Sequence, residues 1–86
     1  MIIKITNENH IKMLECLKHK NPILLSELKR NLWGHDKTER IIVELIVLDI
    51  LKLSRNNNKQ ISLCKDIIIK NYDKLGNLEV EINEEI

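Results

Sequence analysis

The chain has 86 residues and a formal net charge of +1; it is 43% hydrophobic and 31% charged, with two glycines and one proline. That size allows one domain with a modest core, and the composition excludes a disordered, collagen-like or low-complexity chain. The apolar run from Ile41 to Leu48 is broken by Glu44 and too short for a bilayer, and MIIKIT lacks the apolar region of a secretory signal, so a cytoplasmic protein without membrane spans is expected.

In chain order, residues 1–6 open as a short β-like segment. Thr6 or Asn7 can cap a helix over residues 8–20, with Ile11, Leu14 and Leu17 on one face. Asn21-Pro22 closes it, because proline disfavours helical geometry in the residue before it. Ile23 and Leu24 can make a brief extended crossing. Residues 25–33 form the second expected helix, with Leu25, Leu28 and Leu32 inward and Gly34 as the left-handed residue past its end. Asp36 is placed to cap a third helix over 37–49, and Glu39 three positions on resembles a capping box. A short, glycine-containing link between two helices is the helix-turn-helix pattern.

After the third helix, LKLSRN and KQISLCK alternate apolar and polar residues, with Asn56, Asn57 and Asn58 between them as a hairpin turn. This hairpin is a wing over residues 52–65. KDIIIKNYDKL reads as a last helix over 65–75, with Ile68, Tyr72 and Leu75 on one face and Gly76 at its end. The expected fold is therefore mainly α with a small β-wing, one domain over residues 1–78. Residues 79–86 follow as an acidic C-terminal tail or an edge strand, since Leu78, Val80 and Ile82 alternate with polar residues.

The segments ILLSELKRNL, DKTERIIVELIVLDILKLSR and KQISL, in their order and spacing, resemble the winged helix-turn-helix family, in the style of small MarR- or ArsR-like prokaryotic regulators. The resemblance covers residues 8–75. In that family the third helix commonly ends in a leu-x-x-leu-gly-leu-ile pattern. Here Leu45, Leu48, Asp49, Ile50 and Leu51 fill it, with Asp49 in place of the glycine. The resemblance implies that helix 37–49 enters the major groove of double-stranded DNA while the wing reaches the backbone. It also implies a homodimeric transcription regulator, two readers matching a palindromic site.

A projection at about 100° per residue, with Ile41, Leu45 and Leu48 inward, puts Asp36, Glu39, Val43, Ile46 and Val47 outward. Arg40 and Glu44 lie along one flank, Thr38 and Ile42 along the other. Lys37, Thr38 and Arg40 are then the groove contacts, Arg40 being able to hold guanine bidentately. Lys52, Arg55, Asn57 and Lys59 give the wing a positive tip for phosphates, and Lys29 and Arg30 add backbone contacts. Without Glu79, Glu81, Glu84 and Glu85 the body carries 14 basic against 9 acidic residues, a charge of +5, which suits nucleic acid.

The outward face also carries features that suit DNA poorly. Glu44 would repel phosphate, and Val43, Ile46 and Val47 offer a groove little beyond a thymine methyl contact. The alternative is a winged-helix protein-interaction module or accessory subunit of a transcription or replication assembly, with Val43, Ile46 and Val47 as the contact. For a homodimer, Met13, Cys16 and Ile67 to Ile69 on the first and last helices are the expected surface.

Cys16 and Cys64 show no CxxC spacing, and His10, His19 and His35 show no ligand spacing. Two half-buried thiols and no metal or cofactor are expected. No glycine-rich phosphate loop, Ser/His/Asp set or Cys/His set is present in the sequence, and the expectation is a protein that is not an enzyme.

Overall fold

A computed structural model describes residues 1–55 and 59–83. In order they form β1 (Ile2–Ile5), α1 (Glu8–His19), β2 (Ile23–Leu24), α2 (Leu25–Asn31), α3 (His35–Val47), β3 (Leu51–Arg55), β4 (Lys59–Leu63), β5 (Ile67–Tyr72) and β6 (Leu78–Ile82). The strands make two antiparallel sheets, ordered β2-β4-β3 and β1-β6-β5. Asn7 starts α1: its Oδ1 accepts the N–H of Asn9 at 2.9 Å and of His10 at 3.3 Å, two of the donors that a helix start leaves unpaired. Met13, Leu14 and Leu17 of α1 lie in the core, so Met13 is not a dimer surface.

The chain is not mainly α, because residues 65–75 do not form a helix. Ile67, Ile68 and Ile69 are buried, exposed and half-buried in turn, the period-two pattern of a strand. Three successive β-branched side chains favour that pleated geometry over a helix, where their χ1 freedom is lost. The turn after β5 is built by Asp73, whose Oδ1 accepts the N–H of Leu75 at 2.8 Å and of Asn77 at 2.9 Å, with Gly76 at φ 85°. Partial burial of the Asp73 carboxyl opposes ionisation, but the Asn77 N–H, the Lys4 ammonium at 3.2 Å and the Leu75 N–H outweigh it. They hold its pKa below the ordinary carboxylate value.

Residues 78–82, expected as tail or edge strand, form the middle of a sheet. Strand β6 pairs with β1 on one side and β5 on the other. Leu78 and Val80 point into the core, while Glu81 on the other face meets Lys70 at 3.0 Å. Alternation in LEVEI marks a strand; its central place depends on β1, whose partnership no local pattern reveals. Residues 84–86 lie outside the described residues.

On α3 the buried stripe is Thr38, Ile41, Ile42 and Leu45, the i, i+3, i+4, i+7 set of one helix face. It is rotated from the projected stripe of Ile41, Leu45 and Leu48. Leu48 is 54% exposed, and Ile50 and Leu51 take the core instead. The cause is the helix end. Asp49 adopts φ 61°, its N–H reaches the carbonyl of Ile46 at 3.0 Å, and the Ile50 N–H reaches that of Leu45 at 3.0 Å. These are the two bonds of a Schellman cap. Asp49 thus holds a left-handed conformation that glycine adopts without strain. Asp49→Gly is expected to raise stability by about 0.5–1 kcal/mol in urea unfolding; an equal loss would refute this account of the cap.

Candidate nucleic-acid interface

The turn between α2 and α3 is set by Gly34, with φ 83° and ψ −160°, a region nearly closed to other residues. Its N–H returns to the Lys29 carbonyl at 3.1 Å. Gly34 is itself the N-cap of α3, so the helix starts at His35, and Asp36 lies in the first turn rather than capping it. A carboxylate there still complements the helix dipole.

Thr38 falls on the inward face and is 0% exposed. Its Oγ1 accepts the N–H of Trp33 at 3.3 Å, so it holds the turn together and cannot touch DNA. Thr38→Val keeps the shape and removes the acceptor; it is expected to cost about 1–3 kcal/mol in denaturant unfolding, with ligand affinity of the folded protein unchanged. A stable variant that loses DNA binding would contradict this assignment.

Lys29 is also committed within the fold. Its ammonium sits 3.1 Å from Glu39 Oε1 and 2.8 Å from His35 Nδ1. An ammonium can only donate, so His35 accepts at Nδ1 and carries its proton on Nε2, 3.3 Å from Glu39 Oε2. The Lys29 bond holds the Glu39 carboxyl below its ordinary pKa. Partial burial opposes this, while the charges of His35, Lys29 and Lys59 add to it.

The remaining cations divide between surfaces. Arg30 and Arg40 are exposed on α2 and α3. Lys37 lies 5.0 Å from the Trp33 ring centroid, a cation–π stack that leaves it half-exposed. On the hairpin, Leu53 pairs with Ile61 on the core side, whereas Lys52 pairs with Ser62 on the other. Lys52 therefore faces away from α3, and Lys59 shares the face of Ile61. Arg55 pairs with Lys59 through the backbone; its side chain, with Asn57 and the expected Asn56 to Asn58 turn, lies outside the described residues.

Solvent meets Asp36, Arg40, Val43, Glu44 and Val47 along α3. Glu44 is drawn toward α1, where His10 Nε2 lies 2.7 Å from its Oε1. Val43 is 57% and Val47 75% exposed, whereas Ile46 packs half-buried against the core. The expected apolar contact therefore narrows to Val43 and Val47. Beside them, a groove of about 260 Å³ is lined by Leu25, Ile42, Val43, Ile46, Leu53 and Ile61, with Glu39 at its rim.

Cys16 and Cys64 are free, half-buried thiols. Burial first, then Glu15, raises the pKa of Cys16; burial, Asp49 and Asp66 raise that of Cys64 against Lys52. Both are thus kept as unreactive thiols at neutral pH. The His35–Glu39 contact is at helical spacing within α3, whereas the Trp33–Lys37 contact spans the Gly34 turn and has no helical signature. The Lys29–Glu39 tie crosses the inter-helix turn and left no such signal.

Comparison with known proteins gives no match: no protein family, curated protein or solved structure aligns significantly with the chain. Among the described residues, no helix is long and apolar enough to cross a membrane.

Proposed function

We propose that this chain binds double-stranded DNA as a cytoplasmic transcription regulator, a homodimer of winged helix-turn-helix kind that catalyses nothing and needs no cofactor. The observation that carries this reading is α3, joined to α2 by a glycine turn, followed by a basic hairpin and exposed on its outer side around Arg40. Arg40 would read a base edge, and Arg30, Lys37 and Lys59 would hold phosphates, with Arg55 and Asn57 as further phosphate contacts. Lys29 and Thr38 leave the proposed contact set, and Lys52 touches DNA only if the strand wraps past the hairpin.

Fluorescence anisotropy with random and genomic duplexes across a salt series tests this. Affinity should fall linearly on a log–log plot against salt. Arg40→Ala should weaken binding about tenfold, and Arg55→Ala should flatten the salt dependence. Folded protein that fails to bind at low salt would end the proposal.

A second reading is a protein-interaction module, favoured by the exposed Val43 and Val47 beside the apolar groove. Such a contact would survive high salt and be lost in Val47→Asp, the opposite of the DNA pattern.

A further inference from the structure

Strand β5 is an edge of the β1-β6-β5 sheet. Edge strands usually carry a charge or proline that blocks further pairing, yet Ile67, Ile68 and Ile69 present neither. The directions of their backbone groups follow from the ladder. Asn83 N–H reaches the Asp66 carbonyl at 2.8 Å, and Ile82 N–H turns to Met1 at 2.7 Å. In an antiparallel pair these directions alternate, so Asp66 and Ile68 bond toward β6 while Ile67 and Ile69 face the free edge. The Ile67 N–H is used by the Cys64 carbonyl at 3.0 Å. That leaves the Ile67 carbonyl and both backbone groups of Ile69 for another strand.

We infer that the occupant is β5 of a second copy, paired antiparallel about a two-fold axis through Ile68. The register shift between Ile69 and Tyr72 ends the regular ladder, so the regular pairing of β5 spans Ile67 to Ile69, and Ile68 is its centre. Under that axis the Ile69 N–H of each copy donates to the Ile67 carbonyl of the other. Ile68, 46% exposed, meets its own counterpart. Asp66 and Lys70 stand two residues to either side of it, both exposed; Lys70 already lies 3.0 Å from Glu81 of its own sheet, so the partner's Asp66 joins an existing ion pair. Each Asp66 therefore lies opposite the Lys70 of the other copy, giving two symmetric opposite-charge pairs from one self-complementary strand. A groove of about 260 Å³ lies beside this edge, lined by Leu17, Lys18, Asn21, Leu63 and the three isoleucines of β5. Ile69 of the second copy, opposite Ile67, enters it. The product is one continuous six-stranded sheet.

This gives the homodimer of the proposed function its interface, and its test uses no DNA, so failure here is separate from failure of DNA binding. Sedimentation equilibrium should find a dimer for the wild type. Asp66→Lys alone, or Lys70→Asp alone, sets like charges opposite one another and should raise the dimer dissociation constant about tenfold or more. The double variant restores opposite charges and should return the constant to near the wild-type value, with circular dichroism reporting the fold of all four proteins. A monomeric wild type, single variants that dimerise like wild type, or a folded double variant that stays monomeric would each overturn the inference.

Discussion

A chain ending at Asn77 is expected to give no cooperative thermal transition by circular dichroism and no dispersed amide spectrum. A domain of this length has a total stability of roughly 5–10 kcal/mol. Removing β6 takes away Leu78 and Val80, both almost fully buried, worth about 1.5–3 kcal/mol each in burial alone. It also removes the strand that, among the described residues, alone pairs with β1 and β5, leaving two apolar strands with unpaired backbone groups, each costly once desolvated. Ile5 and Ile67 lose their cover at the same time. The total reaches the stability of the whole domain. Cooperative melting near the full-length midpoint would show instead that residues 1–77 fold alone and that β6 is an accessory.

Leu45→Ala lowers stability by about 2–5 kcal/mol, seen as a fall in melting temperature of about 10 °C or more. Leu45 is 0% exposed and serves two structures at once. Its side chain completes the α3 stripe with Ile41 and Ile42, where the helix packs on α1, α2 and β3. Its carbonyl accepts the Ile50 N–H at 3.0 Å, and the shared burial of Leu45 and Ile50 is the apolar contact that accompanies such a cap. A cavity at this point loosens the helix and its exit together. Val43→Ala, on the outer face, should change stability by less than about 0.5 kcal/mol. Urea unfolding of the two variants side by side checks the contrast, and similar losses would mean that the faces of α3 are misassigned.

The middle of the chain was legible because its signals are local. Asn7, the Pro22 break, the Gly34 turn and apolar residues at helical spacing place α1, α2 and α3 to within about two residues, the usual uncertainty of a helix end. Residues 65–75 were not, because IIIKNYDKL satisfies two periods. Ile68, Tyr72 and Leu75 fall on one helical face, while Ile67 and Ile69 alternate with Ile68 as in a strand. The choice was made by β6 and β1, and pairing across the length of the chain has no local signature. On α3 the projection places Thr38 and Ile42 on a flank, whereas both are buried, because a threonine with a backbone donor in reach can lie in an apolar stripe. Leu48 was counted as helical, although the helix ends before it. In the candidate site, the exposure of Arg40 could be read from sequence. The engagement of Lys29 could not, since it depends on how α2 and α3 turn toward each other.

The Met1 nitrogen donates to the Ile82 carbonyl at 3.0 Å, joining residues 81 positions apart. The sheet β1-β6-β5 therefore sets an order of events in folding. The β5–β6 hairpin closes locally, so the entropic cost of the long loop falls on the docking of β1 against β6. The contacts within residues 8–63 span shorter loops and can form first. Among the described residues β1 pairs with β6 alone, so Ile2, Ile3 and Ile5 gain their strand partner only from the far end of the chain. The docking of β1 on the hairpin is thus the step with the longest loop to close, and it completes the surface that covers Ile5, Leu78 and Val80.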